Sequence, residues 1–343
     1  MSDQPVRVLV VGGASGYLGQ LLSKHLSNSD VSRSLGLKLD VRVSTRAPTS
    51  THQQLQLDLR DQTSIEAALA AFPPDVVINT AAISQPGLCE ANEETANETN
   101  VPRLLVSALV NGYPTPFLIH LSTDQVYDGS RSNSTEEAPA APINAYGRSK
   151  LKAEEVIRNS GCCHVILRSS IIVGPELPGV ERPLFVQFIR DRLQQKIPTR
   201  YLVDEFRSPI YCHDICLIVQ ALIRSFMEQA RREDDPDRRH RIFAHTFNMG
   251  GVERLSRLDM ALAVASVIDG EEAVDVVDDS DNTKSKINSK ANRDELIIPC
   301  TGAELNDRPY RSPADISMSS QAIYRLTGVQ PLSFEEMLRK IIF

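Results

Sequence analysis

Apolar, mostly β-branched residues run from Val6 to Val11, stop at a glycine pair, and give way to a helical period over Leu18 to Leu26. A run this short and apolar on both alternating sides predicts a strand covered on two faces. The same texture returns at Leu39 to Ser44, Gln54 to Leu57, Val76 to Asn79, Phe117 to Ser122 and His164 to Arg168. Helical periods intervene at Thr63 to Ala71, Asn100 to Gly112 and Ala145 to Ser160. Strand and helix alternate, so the expected fold is α/β, a doubly wound parallel sheet.

Beyond Gly174 the texture changes, with Pro175, Pro178 and Pro183 ahead of an amphipathic period at Leu184 to Gln195 and another at Asp214 to Ala230. The expected division is a sheet domain over residues 1–174 and a smaller region over 175–343. His245 to Met249 reads as a short strand returning to the main sheet, so the cut is not clean. The charged interval Arg231 to Arg241 and the polar stretch Glu271 to Asp294 read as solvated loops.

Composition narrows the function. A formal charge of -7 without a basic stretch argues against nucleic acid or an anionic membrane surface as a partner. No segment approaches the roughly 20 apolar residues of a membrane helix, and the start M-S-D-Q-P has no basic region of the secretory kind, so a cytoplasmic location is expected. The six cysteines form no C-x-x-C pair and are expected to be reduced. Cys212 and Cys216, one turn apart beside His213, read as core packing, and no metal site is expected.

The turn after the first strand carries G-x-x-G-x-x-G on Gly13, Gly16 and Gly19. Glycines there let the backbone approach a pyrophosphate, whose charge meets the N-terminus of the helix beginning near Tyr17. The second strand ends in V-S-T-R, and Arg46 stands where an acid would receive the ribose of NAD(H); an arginine suits the 2′-phosphate of NADP(H). Asp40 is the acidic competitor but lies too early in its strand.

Tyr146 and Lys150, in Y-G-R-S-K, are four apart and project from one helix face. An ammonium beside a phenol, with an oxidised nicotinamide nearby, is expected to draw the tyrosine pKa down from about 10 toward neutrality. Tyr146 then exchanges a proton with a carbonyl or alcohol. The strand L-I-H-L-S-T-D ends where ligands bind in open parallel sheets, and Thr123, with Ser122 as rival, is the hydroxyl expected to hold the reacting oxygen. Asp124 is a weaker candidate, for polarising the substrate or supplying a second proton.

Together G-G-A-S-G-Y-L-G, N-T-A-A, S-T-D-Q-V-Y-D-G and Y-G-R-S-K resemble the extended short-chain dehydrogenase/reductases. S-T-D-Q-V-Y-D-G, D-E-F-R-S-P-I-Y and the late R-P-Y-R-S-P-A-D-I-S-M resemble the dTDP-4-dehydrorhamnose reductase branch, and the likeness covers nearly the whole chain. The resemblance implies a Rossmann domain binding NADP(H), a substrate region, and reduction of a 4-keto group on a nucleotide-linked deoxysugar. It implies a catalytic trio of Thr123, Tyr146 and Lys150, with Lys150 also holding the cofactor ribose. Gly13, Ser15, Gly16, Tyr17, Leu18, Gly19, Arg46, Asp58, Leu59, Ala81, Ala82, Tyr146 and Lys150 would form the cofactor site, Asp58 receiving the adenine amino group. Asp124 and Arg207 would face the substrate, and Arg168 to Pro175 would pass the nicotinamide.

Two features depart from the bacterial reductases: Gln125 stands where a tyrosine is usual, and the loop Ile83 to Glu90 lacks their acidic pattern. The same branch holds the regulatory beta subunit of methionine adenosyltransferase, which works by binding the catalytic subunit. That alternative partner is hinted at by the apolar tail Ile341, Ile342 and Phe343.

Overall fold

The structure is a computed structural model that describes residues 4–47, 51, 53–112, 115–180, 182–230, 232, 243–275, 295–305 and 308–342. In chain order the elements are β1 (Val6–Val11), α1 (Tyr17–Leu26), α2 (Ser29–Leu35), β2 (Leu39–Thr45), β3 (Gln54–Gln56), α3 (Gln62–Ala71), β4 (Val76–Asn79), α4 (Pro86–Ala91), α5 (Glu93–Asn100), α6 (Arg103–Asn111), β5 (Phe117–Thr123), α7 (Ala145–Arg158) and β6 (His164–Ser169). They continue with β7 (Ile172–Val173), α8 (Phe185–Gln194), β8 (Thr199–Leu202), β9 (Phe206–Arg207), β10 (Ile210–Tyr211), α9 (Cys212–Ala230), β11 (Ala244–Met249), β12 (Leu255–Ser256), α10 (Arg257–Asp275), β13 (Ile297–Cys300), α11 (Gln321–Thr327) and α12 (Phe334–Ile342).

Seven parallel strands form the main sheet in the order β11-β6-β5-β4-β1-β2-β3. The order reverses at β1, which pairs with β2 on one side and β4 on the other. A crevice therefore opens outside the carboxyl ends of β1 and β4, where doubly wound sheets bind their ligands. Alternate residues of each strand feed opposite faces. Val8, Val10, Ile78 and Ile119 join Leu22 of α1 and Ile215, Ile218 and Val219 of α9 on one face. Leu9, Val77 and Leu118 join Ile65 of α3, Leu105 of α6 and Ile157 of α7 on the other. Both faces are covered, which accounts for the unbroken apolar runs.

The returning strand falls in place, with β11 pairing beside β6 at the sheet edge. Other elements after Gly174 build a separate core, in which Val186 and Ile189 of α8, Tyr201 of β8, Met260 and Val264 of α10, Ile297 of β13 and Phe334 of α12 meet. Ile341 and Ile342 pack against this core rather than standing free, while Phe343 lies outside the described residues. Of the two expected loops, only Arg232 of 231–241 is described, and residues 271–275 close helix α10 while 276–294 lie outside the description. All six cysteines are buried thiols, and Cys216 packs in the core under α1.

A ladder of buried polar groups ties the carboxyl ends of the strands together. Glu154 of α7 receives Arg168 of β6 through Nη2 to Oε2 at 2.8 Å and Nε to Oε1 at 3.0 Å, and Ser122 donates to Oε1 at 2.5 Å. Arg168 then donates to the Tyr127 hydroxyl at 2.9 Å, and Tyr127 donates to Asn248 of β11 at 2.7 Å. Three strands and α7 are thereby held in register around the end of β5.

Candidate active site

The turn after β1 places its positive φ, 79°, on Gly12. The conformational demand therefore falls one residue before the Gly13 of the expected pattern, which packs on Val10 and Val43 instead. At Gly19 a side chain would meet Gly13 Cα at 2.7 Å and Thr80 Oγ1 at 2.8 Å, so glycine here lets α1 sit on the loop and on the end of β4. Gly19→Ala is expected to cost about 1–3 kcal/mol, read as a lower midpoint in denaturant unfolding; an unchanged midpoint would contradict this packing. Gly16 caps α1 without a side-chain acceptor, leaving first-turn N–H groups directed at the crevice.

The crevice wall carries Ser15, Gly16, Arg46, Asp58, Leu59, Ala81 and Ala82. Ser44 Oγ accepts from Gly12 N at 2.9 Å, fixing the loop to β2. Asp58 has a partner that the expectation did not include. Arg60 grips its carboxylate through Nε at 3.0 Å and Nη2 at 2.6 Å, and this pairing is the main reason its pKa is drawn down to about 2. The acid pairs with Arg60 at the crevice wall, and Arg46 and Arg60 form two sides of a recess with Ser15, Thr45 and Asp58. Arg60 escaped the sequence reading because its pairing with Asp58 depends on the bend after β3, not on a motif.

Across β1 the crevice opens into a cleft of about 780 Å³ whose lining includes Tyr17, Leu18, Thr123, Asp124, Tyr146, Lys150, Ser170 and Arg207. Tyr17 crosses it to donate from its hydroxyl to the Pro175 carbonyl at 2.9 Å, and Gly174 is the only residue type that leaves room for that ring. The expected reacting groups converge at the end of β5. The Thr123 hydroxyl lies close enough to the Tyr146 phenol to favour its ionised form, and Thr123 donates to Asp124 Oδ1 at 3.1 Å. Ser170 donates to Asp124 Oδ2 at 2.8 Å. Ser122 is spent on Glu154, which leaves Thr123 as the hydroxyl that meets the phenol.

The expected fall in the phenol pKa leaned on an oxidised nicotinamide; the protein's own groups act in the other direction. The Tyr146 phenol lies above its ordinary pKa, not below it: burial is the largest cause, the Thr123 hydroxyl opposes it, and the Asp124 carboxylate adds to the rise. Lys150 Nζ lies 3.1 Å from His120 Nε2, and burial draws its own pKa down to about 8. Asp124 is pushed above the usual carboxylate range by burial, against Arg207, Ser170 and Thr123. Tyr146 therefore stands as a protonated phenol at neutral pH, suited to giving a proton to an oxygen that becomes an alkoxide.

Arg207 also departs from expectation. It reaches the cleft wall, but Nη1 donates to the carbonyls of Phe206 and Ala314, at 2.7 and 3.2 Å, and Nη2 to that of Pro313 at 3.0 Å. It clamps the late R-S-P-A segment onto β9. Glu205 beside it is shared with Arg257 and Arg308, at 3.7 and 2.7 Å, so one carboxylate faces three guanidiniums. Burial and the neighbouring Arg207 pull the Arg257 pKa down to about 10. Arg182 and Arg200 add to the same lining. This surplus of positive charge suits an anionic substrate segment.

Several supporting residues were not foreseen. Asn144 caps α7 by accepting from Gly147 N at 2.9 Å and donates to Gln125 Oε1 at 2.9 Å, so the unusual Gln125 holds the helix that carries Tyr146. Asn100, at the end of α5, donates to Ser149 Oγ at 2.9 Å and receives Ile83 N at 2.7 Å. An N-cap asparagine before Y-G-R-S-K was readable from the sequence; its link to Gln125 was not. Among the described residues no group of His, Cys, Asp and Glu is arranged to hold a metal, and no helix is long and apolar enough to cross a membrane.

Comparison with known proteins gives the following. The family profile described as RmlD substrate binding domain matches residues 6–343. The rat protein named methionine adenosyltransferase 2 subunit beta is 26% identical over 266 residues, 76% of this chain and 72% of its own length. A Haloferax volcanii protein named probable low-salt glycan biosynthesis reductase Agl14 is 31% identical over 202 residues, 58% of this chain and 65% of its own. The crystal structure of dTDP-4-dehydrorhamnose reductase from Bacillus anthracis, in complex with NADP, superposes with a TM-score of 0.73 at 20% identity, covering 99% of each chain.

Proposed function

The chain belongs to the RmlD substrate-binding-domain family, and from that premise we propose that it is an NADPH-dependent reductase of a keto group on a nucleotide-linked deoxysugar. The observation that carries this reading is the chain from Tyr146 through Thr123 to Asp124, which shares one cleft with the glycine turn and Lys150. NADP(H) fits the residues present: the open first turn of α1 for the pyrophosphate, and the recess of Arg46 and Arg60 for the 2′-phosphate. The bound cofactor supplies hydride. Tyr146 supplies the proton to the carbonyl oxygen, Thr123 holds that oxygen, and Lys150 steadies the ribose from the same helix face.

The surplus of guanidinium charge from Arg257, Arg308, Arg182 and Arg200 supports a diphosphate on the substrate. Residues 1–174 would then serve the cofactor and most of 175–343 the substrate, in a cytoplasmic setting. Loss of a charge-assisted hydrogen bond is worth about 1.5–3 kcal/mol, so Arg46→Ala is expected to weaken NADPH binding by roughly 10- to 100-fold. NADH binding should be unchanged, and fluorescence titration reads both. Equal weakening of the two cofactors would remove Arg46 from the 2′-phosphate. The assay of the function itself is NADPH oxidation with a dTDP-4-keto-6-deoxy sugar; no oxidation across a panel of nucleotide-linked ketosugars would defeat the reading.

A second reading, an NADP-binding regulatory subunit for a methionine adenosyltransferase catalytic subunit, is favoured by the match to the rat beta subunit over 76% of this chain. Its tail argument is weakened by the packing of Ile341 and Ile342 on their own core. Stable co-elution of this chain with a methionine adenosyltransferase catalytic subunit, without sugar reduction, is the outcome that would prefer it.

A further inference from the structure

Behind the catalytic helix, Lys150 heads a buried polar line whose other members the proposed chemistry does not use. Lys150 Nζ is 3.1 Å from His120 Nε2, and His120 Nδ1 is 3.2 Å from Asn79 Nδ2. Asn79 Oδ1 in turn accepts from Ala81 N at 3.2 Å, in the loop that lines the cofactor crevice. Each of the three side chains is at most 2% exposed, so water does not stand in for a missing partner.

Counting donors leaves one consistent arrangement. Ala81 N–H turns the Asn79 oxygen toward itself, so the Asn79 amide nitrogen donates to His120 Nδ1. Nδ1 is then an acceptor, and a neutral imidazole carries its proton on Nε2. That N–H faces Lys150, and only a neutral amine has the lone pair to receive it. A lysine ammonium donating to Nε2 needs the imidazole proton on Nδ1, where it meets the Asn79 amide hydrogens. Turning the Asn79 amide relieves that clash but sets its hydrogens against Ala81 N–H. Two buried donors head to head leave both unsatisfied, which burial makes costly.

We propose that His120 is a positioning residue whose tautomer, fixed through Asn79, is coupled to the charge on Lys150 and, through Ala81, to the cofactor loop. Each proton gained by Lys150 is accompanied by a change of tautomer at His120 and a turn of the Asn79 amide. The surroundings agree. Burial, Lys150 and His164 all disfavour the imidazolium, so His120 stays neutral. Of the other titratable groups on α7, Arg148, Lys152, Glu155 and Arg158 are exposed, Glu154 is spent on Arg168 and Ser122, and Tyr146 lies beside Thr123; β6 contributes His164, whose Nδ1 lies 2.9 Å from the Cys162 carbonyl. The catalytic consequence rests on the reductase reading: Lys150 becomes a group that titrates near its working pH rather than a permanent cation.

The test is the tautomer of His120 in the full-length protein labelled with ¹⁵N-histidine, followed by long-range ¹H–¹⁵N correlation from pH 6 to 10. Expected is a neutral ring throughout, with the proton on Nε2 above an inflection near about 8 and on Nδ1 below it. Lys150→Met abolishes the change, and Asn79→Asp, which accepts from Nδ1, holds the proton there at every pH. The Asn79→Asp variant also moves the inflection of the pH–rate profile upward by more than one unit, whereas a merely structural role lowers the rate equally at all pH. A tautomer that never changes in the wild type, or one that still changes in Lys150→Met, overturns the proposal. If no sample turns over a ketosugar, the reductase reading fails while the tautomer result still stands or falls by itself.

Discussion

Tyr146→Phe is expected to lower NADPH-dependent turnover by about 10² to 10⁴, the worth of a positioned general acid, while NADPH binds as before. The phenol is buried and held above its ordinary pKa, so over neutral pH it is protonated and ready to donate. Deleting its hydroxyl leaves Thr123 to hold the oxygen but nothing to protonate it, so the loss falls on kcat rather than on KM. Because the folded-state pKa is raised, the acid limb contributed by Tyr146 lies on the alkaline side. The wild-type rate therefore shows no fall from Tyr146 between pH 6 and 9. Stopped-flow measurement of a single turnover separates this step from product release; a Phe variant within threefold of wild type would remove Tyr146 from the proton transfer.

The second large effect is on stability. Glu154→Ala leaves the Arg168 guanidinium, 5% exposed at its side chain, without its bidentate partner. Breaking a buried pair from one side costs about 3–5 kcal/mol, a large share of the roughly 5–15 kcal/mol by which a domain is stable. A fall in Tm of roughly 4–7 °C is expected. Replacing both partners, with Glu154→Leu and Arg168→Met, is expected to recover much of it, since no charge is then left buried. Burial raises the Glu154 pKa, but Arg168, Ser122 and Arg158 outweigh it and hold the carboxyl below its unfolded value. Its contribution is accordingly full above roughly pH 4.3 and is lost as the pH falls through the folded value. Calorimetry of the single and double variants at pH 7 and pH 4 reads both the pairing and its sign.

The sheet was legible because its strands are buried on both faces. Val6–Val11 and Val76–Asn79 are bounded in the structure as the apolar runs bound them. The short helices α4 and α5 and the long α10 were not foreseen: Glu93–Asn100 is mostly polar with one narrow buried edge at Ala96 and Asn100, which gives little periodic signal. Within the site, the meeting of Thr123 with Tyr146 followed from strand end and helix spacing. What escaped was each partner's other engagement. Lys150 turns to His120 because β5 sets that imidazole behind the helix, and Arg207 turns to the Pro313 and Ala314 carbonyls because the late segment folds back on β9. Such long-range hydrogen bonds depend on packing between elements far apart in the chain, which spacing rules do not reach.

The central claim is that hydride and proton meet at one carbonyl held between the glycine turn and Tyr146. Incubation with NADPH deuterated at the transferable position of the nicotinamide ring, together with a dTDP-4-keto-6-deoxy sugar, tests it directly by NMR of the product. The account predicts one deuteron on the new carbinol carbon, and none in Tyr146→Phe on the same timescale. NADPH bound with no deuterium transferred, in a protein that elutes with a methionine adenosyltransferase catalytic subunit, would contradict it.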